Sequence, residues 1–235
     1  MLNILLVSIA APPKSDPESL QVGRYMKYLT QAGCSIELVT TANPTLYMEP
    51  DEALKKYNTA KKVHEHSLFE FRYLNAFINR YLPALNQYPD PKWSFRFFEI
   101  DQFSKPDIIY SRSYPISSTL LALKFKKQFN VPWILHLSDP WAFSYEGDSP
   151  ATNFKTFPRR WNKKKESECF ELADRISLTS VKTVDVYKKA YPKYAHKFLL
   201  TPNVFDEETI SRSPVSFSDK LLILYTGGFG QKRSP

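Results

Sequence analysis

Apolar runs of strand length alternate with amphipathic stretches along most of this chain of 235 residues. The segment Asn3–Ile9 is apolar apart from one serine, which is typical of a strand covered on both faces. After a polar, proline-bearing loop, Val22, Met26 and Leu29 recur at helical spacing, and Gly33 predicts the end of that helix. The segment SIELVTT predicts the next strand. This βαβ opening favours a parallel sheet with right-handed crossovers.

The same alternation returns between residues 106 and 206. We predict strands in PDIIYSRS, VPWILHLSDPW, DRISLTS and KFLLTPNVFD, and helices in PISSTLLALKFKKQF, FKTFPRRWNKKKESECFELA and VKTVDVYKKAY. Strands that alternate with helices indicate an α/β fold with a doubly wound, Rossmann-like parallel sheet. Ligands of such sheets bind beyond the carboxyl ends of the strands, so we expect the loops after the strands to hold the site. Arg112 and Ser138 are two of the residues at these strand ends.

Residues 44–103 show no regular period. The stretch from Phe69 to Glu99 is rich in aromatic residues, which predicts helix-packing side chains interrupted at prolines. The alternative is that these aromatic side chains surround the entrance of a binding cleft, where they stack on a ligand or face lipid. His64 and His66 lie in a charged stretch without a nearby cysteine or aspartate, so we expect a solvated surface there rather than a metal site.

The last residues carry a strand and a glycine-rich turn. A polar segment with Pro214 indicates a linker, and LLILY predicts a buried strand that runs into GGFGQKRS. That turn matches neither the Walker nor the dinucleotide glycine pattern, although its backbone can approach a phosphate and its basic residues can neutralise one. The predicted organisation is a Rossmann-like domain over residues 1–213, a linker over 214–220, and the first strand and loop of a second domain over 221–235.

Asp139 is the main candidate for chemistry inside the first domain. It falls where a predicted strand ends, between Ser138 and Pro140, and a carboxylate there can accept hydrogen bonds from sugar hydroxyls or act as a base. The alternative is an Asx-type turn in which Asp139 bonds its own loop. We expect His136, three residues earlier, to be a hydrogen-bonded core residue of the strand.

The predicted helix after this turn opens with basic and aromatic side chains. Such a mixture can bind anionic headgroups or nucleic acid phosphates, and the alternative is a solvated helix face compensated by Glu166, Glu168 and Glu171. The residues of this basic patch are Arg159, Arg160, Trp161, Lys163 and Lys164.

The charge of the whole chain also favours anionic partners. Its formal net charge is +8 and its pI about 9.3. The two cysteines, Cys34 and Cys169, predict buried thiols rather than a zinc site or a disulfide framework. No apolar run approaches the length of a membrane span, and the cytoplasm is the default expectation.

Taken in order, several segments resemble the N-terminal, acceptor-side domain of GT-B fold glycosyltransferases of family 4. The segments are LNILLVS with its proline loop, VGRYMKYLTQAGCSIELVT, PDPKW, PDIIYSRS, WILHLSDPW, ADRISLTS, TPNVFD and LYTGGFGQKRSP. Their order and spacing carry the resemblance more than any one of them. The chain departs from the family at Val204 and Phe205, where the family has Gly-Val, and in its first loop, which lacks Gly-Gly.

This resemblance implies a retaining transfer of a sugar from a nucleotide-sugar to a lipid-linked or polysaccharide acceptor, without an obligatory metal or other cofactor. It implies that the donor diphosphate meets Gly227, Gly228, Lys232 and Arg233. By position, the residues toward the acceptor and the interdomain cleft are Pro12, Pro13, Arg24, Arg112, Ser138 and Asn203, with Asp139 as the catalytic candidate.

The resemblance also implies that most of the donor domain lies beyond Pro235, so we expect little catalysis from this chain alone. Its anionic partners would be the nucleotide-sugar and, at the inner face of a membrane, acidic headgroups. One alternative is a non-catalytic module that binds glycans or anions. Another is a nucleic-acid binder, which has the charge but no recognition motif. The residues encode neither the donor nor the acceptor.

Overall fold

A parallel sheet forms the centre of the described structure. The computed structural model describes residues 1–42, 50–66, 98–113, 115–142 and 157–206, with only the backbone at 157–160, and the single helical residues Tyr73, Phe77 and Tyr81. Met1–Phe205 make one compact unit and Asp206–Pro235 a second, of which only Asp206 is described. The predicted domain limits, linker and closing strand therefore remain predictions.

Seven parallel strands are found among the described residues: β1 (Asn3–Val7), β2 (Ser35–Thr41), β3 (Lys62–His66), β4 (Ile108–Ser113), β5 (Trp133–Leu137), β6 (Arg175–Leu178) and β7 (Phe198–Leu200). The helices are α1 (Pro17–Gln31), α2 (Ser117–Phe129), α3 (Phe157–Leu172) and α4 (Val181–Ala190), with 3₁₀ turns at Glu52–Tyr57 and Pro192–Lys197. The spatial order β3-β2-β1-β4-β5-β6-β7 is that of a Rossmann-like sheet. The predicted α/β fold class is confirmed.

Both faces of the sheet are covered, as the continuous apolar strands predict. On β1, Ile4 and Leu6 pack on the side of α1 with Val22 and Met26. The intervening residues Leu5 and Val7 belong to the larger core cluster on the other side. That cluster also contains side chains of three helices, among them Phe125, Phe170 and Tyr187. This alternation is the expected burial pattern of a parallel strand with helices on each side.

The first helix begins earlier than its apolar spacing indicates. The Asp16 side chain accepts a hydrogen bond from the Glu18 backbone N–H at 2.8 Å, and Pro17 takes the first helical position. The sequence pattern predicts a polar loop for these residues, whereas the structure places the start of the helix here. The helix ends as predicted, because Gly33 adopts a φ of 84°, which favours glycine.

The strand β3 corrects the prediction of a solvated histidine pair. It pairs in parallel with β2 at one edge of the sheet, and the His64 imidazole contacts the Glu37 carboxylate. The His64 ring also lies 4.2 Å from that of Phe103, and His66 meets Phe98 edge-on at 5.4 Å. Polar residues dominate this edge strand, so the sequence gives no apolar signal for it.

Candidate functional site

Glu18, Arg112 and Ser138 meet at the carboxyl edge of the sheet; we call them the switch-point cluster. The chain leaves β1 and β4 toward opposite faces, and this divergence opens the crevice where such sheets bind ligands. Arg112 Nε donates to Glu18 Oε1 at 2.8 Å. The Ser138 hydroxyl donates to Glu18 Oε2 at 2.5 Å. Side chains from β4 and from the loop after β5 therefore both bind the Glu18 carboxylate of α1.

Arg112 is fully buried within this cluster. Its Nη1 donates to the Tyr110 hydroxyl at 3.1 Å, and its guanidinium lies 4.5 Å from the centre of the Tyr25 ring. Among the described residues, its Nη2 has no hydrogen-bond partner. The guanidinium therefore keeps one buried, positively charged N–H donor without a partner in the described part of the chain.

Burial dominates the electrostatics of the cluster. It raises the pKa of Glu18, and attraction to the Arg112 guanidinium and hydrogen bonds only partly offset this. It also raises the pKa of Tyr110 to about 12, so that this hydroxyl stays protonated. Burial lowers the pKa of Arg112, but Tyr110 and Glu18 more than compensate and hold it above its usual value. Arg112 is therefore a permanent cation here.

His136 lies beside Arg112 across the β4–β5 pair and is a core residue, as predicted. Its Nδ1 makes a 2.8 Å hydrogen bond with the Ser177 hydroxyl. Burial, together with the nearby Arg112 charge, lowers the pKa of His136 to about 2. The imidazole is therefore neutral at physiological pH.

Asp139 follows the cluster directly and is exposed. Its carboxylate makes no hydrogen bond with any residue that the structure describes, so the alternative of a self-bonded Asx turn is not observed. The backbone of the turn is held instead by Ser138, whose N–H donates to the Ser113 carbonyl at 2.7 Å. Although the residue is exposed as a whole, partial enclosure of its carboxyl raises the pKa of Asp139.

Two further cleft candidates are Arg24, which belongs to α1, and Asn203, which belongs to the segment 201–205 that contacts α1. Arg24 Nη1 donates to the Val204 carbonyl at 2.9 Å, and the Val204 N–H donates to the Gln21 side chain at 2.9 Å. The Tyr25 hydroxyl donates to the Pro202 carbonyl at 3.1 Å, while its ring faces Arg112. Tyr25 thus connects the 201–205 segment with the switch-point cluster, and Asn203 is exposed on that segment.

Pro12 packs against α1 and is buried, so it supports the helix rather than lining an open surface. Pro13 is half-buried, and the peptide bond between the two prolines is cis. Our sequence reasoning missed the next residue, Lys14. It is buried, its Nζ donates to the Thr40 hydroxyl at 3.0 Å, and burial lowers its pKa to about 8.

The basic patch occupies the first half of α3. Lys163 and Lys164 are exposed, Trp161 is half-buried, and neither lysine forms an ion pair with any described residue. The side chains of Arg159 and Arg160 lie outside the described structure. So do all four candidates for the donor phosphate, Gly227, Gly228, Lys232 and Arg233.

Two glutamates that sequence reasoning did not select are central to this edge of the sheet. Glu18 follows the helix-start pair Asp16 and Pro17, and that signal was available in the sequence. We counted Glu166 as a compensating charge on a solvated helix face, which is wrong, because its side chain is fully buried. The partners of Glu166 come from distant segments, so no local sequence pattern predicts them.

Over the described ranges, no cluster of three or more potential metal-binding side chains is present, and no helix there has the length and apolar character of a membrane span.

No family model and no curated protein matches the sequence. Among solved structures, the chain is similar to HepE of Anabaena in complex with UDP and glucose, at 12% identity and a TM-score of 0.49, over 91% of this chain and 47% of HepE. It is similar to UGT2 of Phytolacca americana, at 12% identity and a TM-score of 0.46, over 88% and 53% of the two chains. It is also similar to a UDP-glucosyltransferase of Polygonum tinctorium, at 10% identity and a TM-score of 0.41, over 79% and 48%. The chain thus spans about half the length of each.

Proposed function

We propose that this chain supplies the acceptor-side half of a retaining GT-B glycosyltransferase of the family 4 type. The reaction would move a sugar from a nucleotide-sugar to a lipid-linked or polysaccharide acceptor in cell-surface glycan synthesis. One observation carries the proposal: Asp139, an exposed residue whose carboxylate has no hydrogen-bond partner among the described residues, stands beside a buried charged cluster at the switch point of the sheet. The ordered sequence motifs that resemble this family support the same assignment.

Asp139 is the proposed catalytic residue. Its carboxylate is free to accept hydrogen bonds from sugar hydroxyls, and its raised pKa makes it a better proton acceptor than an ordinary aspartate. The buried Arg112 guanidinium, whose Nη2 has no partner among the described residues, adds a permanent positive charge on the same edge. Such preorganised donors and acceptors stabilise a ligand because they need no rearrangement when it arrives.

The donor side of the reaction is proposed to lie in residues that follow the described unit. Gly227 and Gly228 would let the backbone approach the diphosphate, and Lys232 and Arg233 would neutralise it. The active site of such an enzyme forms between two domains, so we expect the 235-residue chain alone to be nearly inactive.

The basic patch is proposed to hold the protein against an acidic membrane surface. Lys163 and Lys164 are exposed and form no ion pair within the described ranges, and each basic residue near such a surface contributes roughly 1 kcal/mol. This contact would bring the acceptor side close to a lipid-linked substrate.

The test compares the 235-residue chain with the product of the full reading frame that contains it. Both are incubated with a panel of nucleotide-sugars, with and without a crude lipid extract as acceptor, and release of the nucleotide is measured. We expect turnover only from the longer protein, and NMR of its product should show the anomeric configuration of the donor sugar. A folded longer protein that binds glycans but turns over no nucleotide-sugar would instead establish the alternative, a non-catalytic binding module.

A further inference from the structure

Glu166 has an unusual position for a carboxylate. It lies in the middle of α3, is fully buried, and faces both α4 and the turn that follows β5. Its Oε1 accepts hydrogen bonds from the Ala142 backbone N–H at 3.1 Å and from the Tyr187 hydroxyl at 3.0 Å. Its Oε2 accepts a hydrogen bond from the Tyr191 hydroxyl.

A second hydrogen bond ties the same turn to the same carboxylate. The Trp141 N–H donates to the Tyr187 hydroxyl at 3.0 Å, and that hydroxyl donates in turn to Glu166. Two successive backbone N–H groups of the turn therefore end on Glu166, one directly and one through Tyr187. The turn is further anchored at its start, because the Thr179 hydroxyl donates to the Ser138 carbonyl at 3.2 Å.

We infer that Glu166 is a positioning residue, which fixes the turn Ser138–Ala142 and thereby the direction of the Asp139 carboxylate. The functional part of this inference rests on the proposed function, in which Asp139 meets the sugar. Glu166 itself is enclosed by its partners and touches no substrate.

The free-energy cost of burying a charge indicates that this carboxylate has a specific role. A buried charge is costly, and well-packed apolar residues often stabilise a core as well or better. The buried N–H of Trp141 and the partly buried N–H of Ala142, however, need acceptors, and an apolar residue at position 166 would remove the acceptor of the Ala142 N–H. An acceptor therefore gives the turn a defined conformation that an apolar core residue cannot give.

Several titratable and charged groups face the Glu166 carboxylate from the described elements around it. Tyr187 and Tyr191 face it from α4 and the residue that follows, and burial raises the pKa of both hydroxyls. Lys163 and Cys169 approach from its own helix, and burial raises the pKa of the Cys169 thiol. From the turn, the Ala142 N–H faces it. Burial raises the pKa of Glu166 itself to about 6, against hydrogen bonds that lower it.

The test uses backbone amide NMR on the 235-residue chain without any ligand. In the wild type we expect the Ala142 amide shift to titrate with a midpoint near pH 6, and in Glu166→Gln this titration should disappear while the fold is retained. Glu166→Leu should speed exchange of the Ala142 amide, and Tyr187→Phe that of the Trp141 amide, each by about tenfold through loss of one hydrogen bond. Tyr187→Phe tests the inference even if Glu166→Leu fails to fold.

Tyr194→Phe is the matched control. It removes a hydrogen bond of 2.6 Å from a tyrosine hydroxyl to Glu171 on the same helix, without touching the turn. Unchanged exchange of Trp141 and Ala142 in folded variants, or equal acceleration in the control, would overturn the inference. Because these measurements need no reaction, they stand even if no sugar transfer is found.

In an active full-length protein, Tyr187→Phe should lower kcat about tenfold and leave the KM for the nucleotide-sugar nearly unchanged. A turn that loosens without any change in kcat would overturn the positioning role.

Discussion

At the scale of single residues, the buried pair of Arg112 and Glu18 gives the sharpest stability prediction. Their side chains are 0% and 10% exposed, so removal of either charge leaves the other without compensation. We expect Arg112→Met to lower the free energy of unfolding by about 3 kcal/mol, measured by urea denaturation, and Glu18→Gln added to it to restore part of that loss. The exposed pair Lys193–Glu171 is the control, and Lys193→Met should lower the free energy of unfolding far less, because solvent screens this pair. A loss no larger in Arg112→Met than in this control would contradict a structural ion pair at the crevice.

His136 predicts the direction of a pH dependence. Its pKa is about 2 in the folded protein, against 6.5 for an ordinary histidine, so below pH 6.5 the unfolded chain binds a proton that the folded chain does not. Stability should therefore fall with decreasing pH, and His136 should contribute about 2 kcal/mol of loss between pH 6.5 and about 4.5.

Urea titrations of wild type and His136→Gln over this range measure that slope. The variant should lose less stability on acidification, whatever its stability at neutral pH. Parallel pH curves for His136→Gln and the wild type would show that the imidazole is not held neutral by burial.

At the scale of elements, α1 fits closely against its neighbours at Gly23. A Cβ at this position would lie 2.6 Å from Tyr57 Cβ and 2.8 Å from Pro12 Cγ. We expect Gly23→Ala to lower the free energy of unfolding by about 1–3 kcal/mol, because overpacking exceeds the gain of roughly 1 kcal/mol in helix propensity. A thermal melt checks it, and a raised melting temperature would contradict this close packing.

The elements were largely predictable because apolar runs and helical spacing report burial directly. Every strand from β4 to β7 falls inside a segment we predicted, and β2 coincides with SIELVTT. The edge strand β3 was missed because an edge strand with alternating polar residues has no apolar signal. The site was less predictable: Arg112 and Ser138 follow from the strand-end rule, but Glu166 depends on contacts with Tyr187 and Tyr191, which no local pattern encodes.

At the scale of the whole molecule, the two edges of the sheet use their carboxylates differently. On the amino edge, Asp107 accepts a hydrogen bond from the Asn3 N–H at 2.7 Å, and Asp174 accepts one from the Trp133 N–H at 2.8 Å. Both carboxylates therefore satisfy backbone N–H groups at the starts of strands. On the carboxyl edge, Glu18 and Glu166 are occupied by side chains and turns, whereas Asp139 has no partner among the described residues. This contrast supports the proposal that a ligand binds at the carboxyl edge.

The most direct test of this account is the rate of sugar transfer by the full-length protein with Asp139→Asn, beside Asp107→Asn as a control. Asp107 is also an exposed aspartate but lies at the opposite edge of the sheet. We expect Asp139→Asn to lower kcat/KM by at least about 100-fold and Asp107→Asn to change it by less than about threefold. Transfer that survives Asp139→Asn at the wild-type rate, or falls equally in both variants, would contradict a reaction centre at the carboxyl edge.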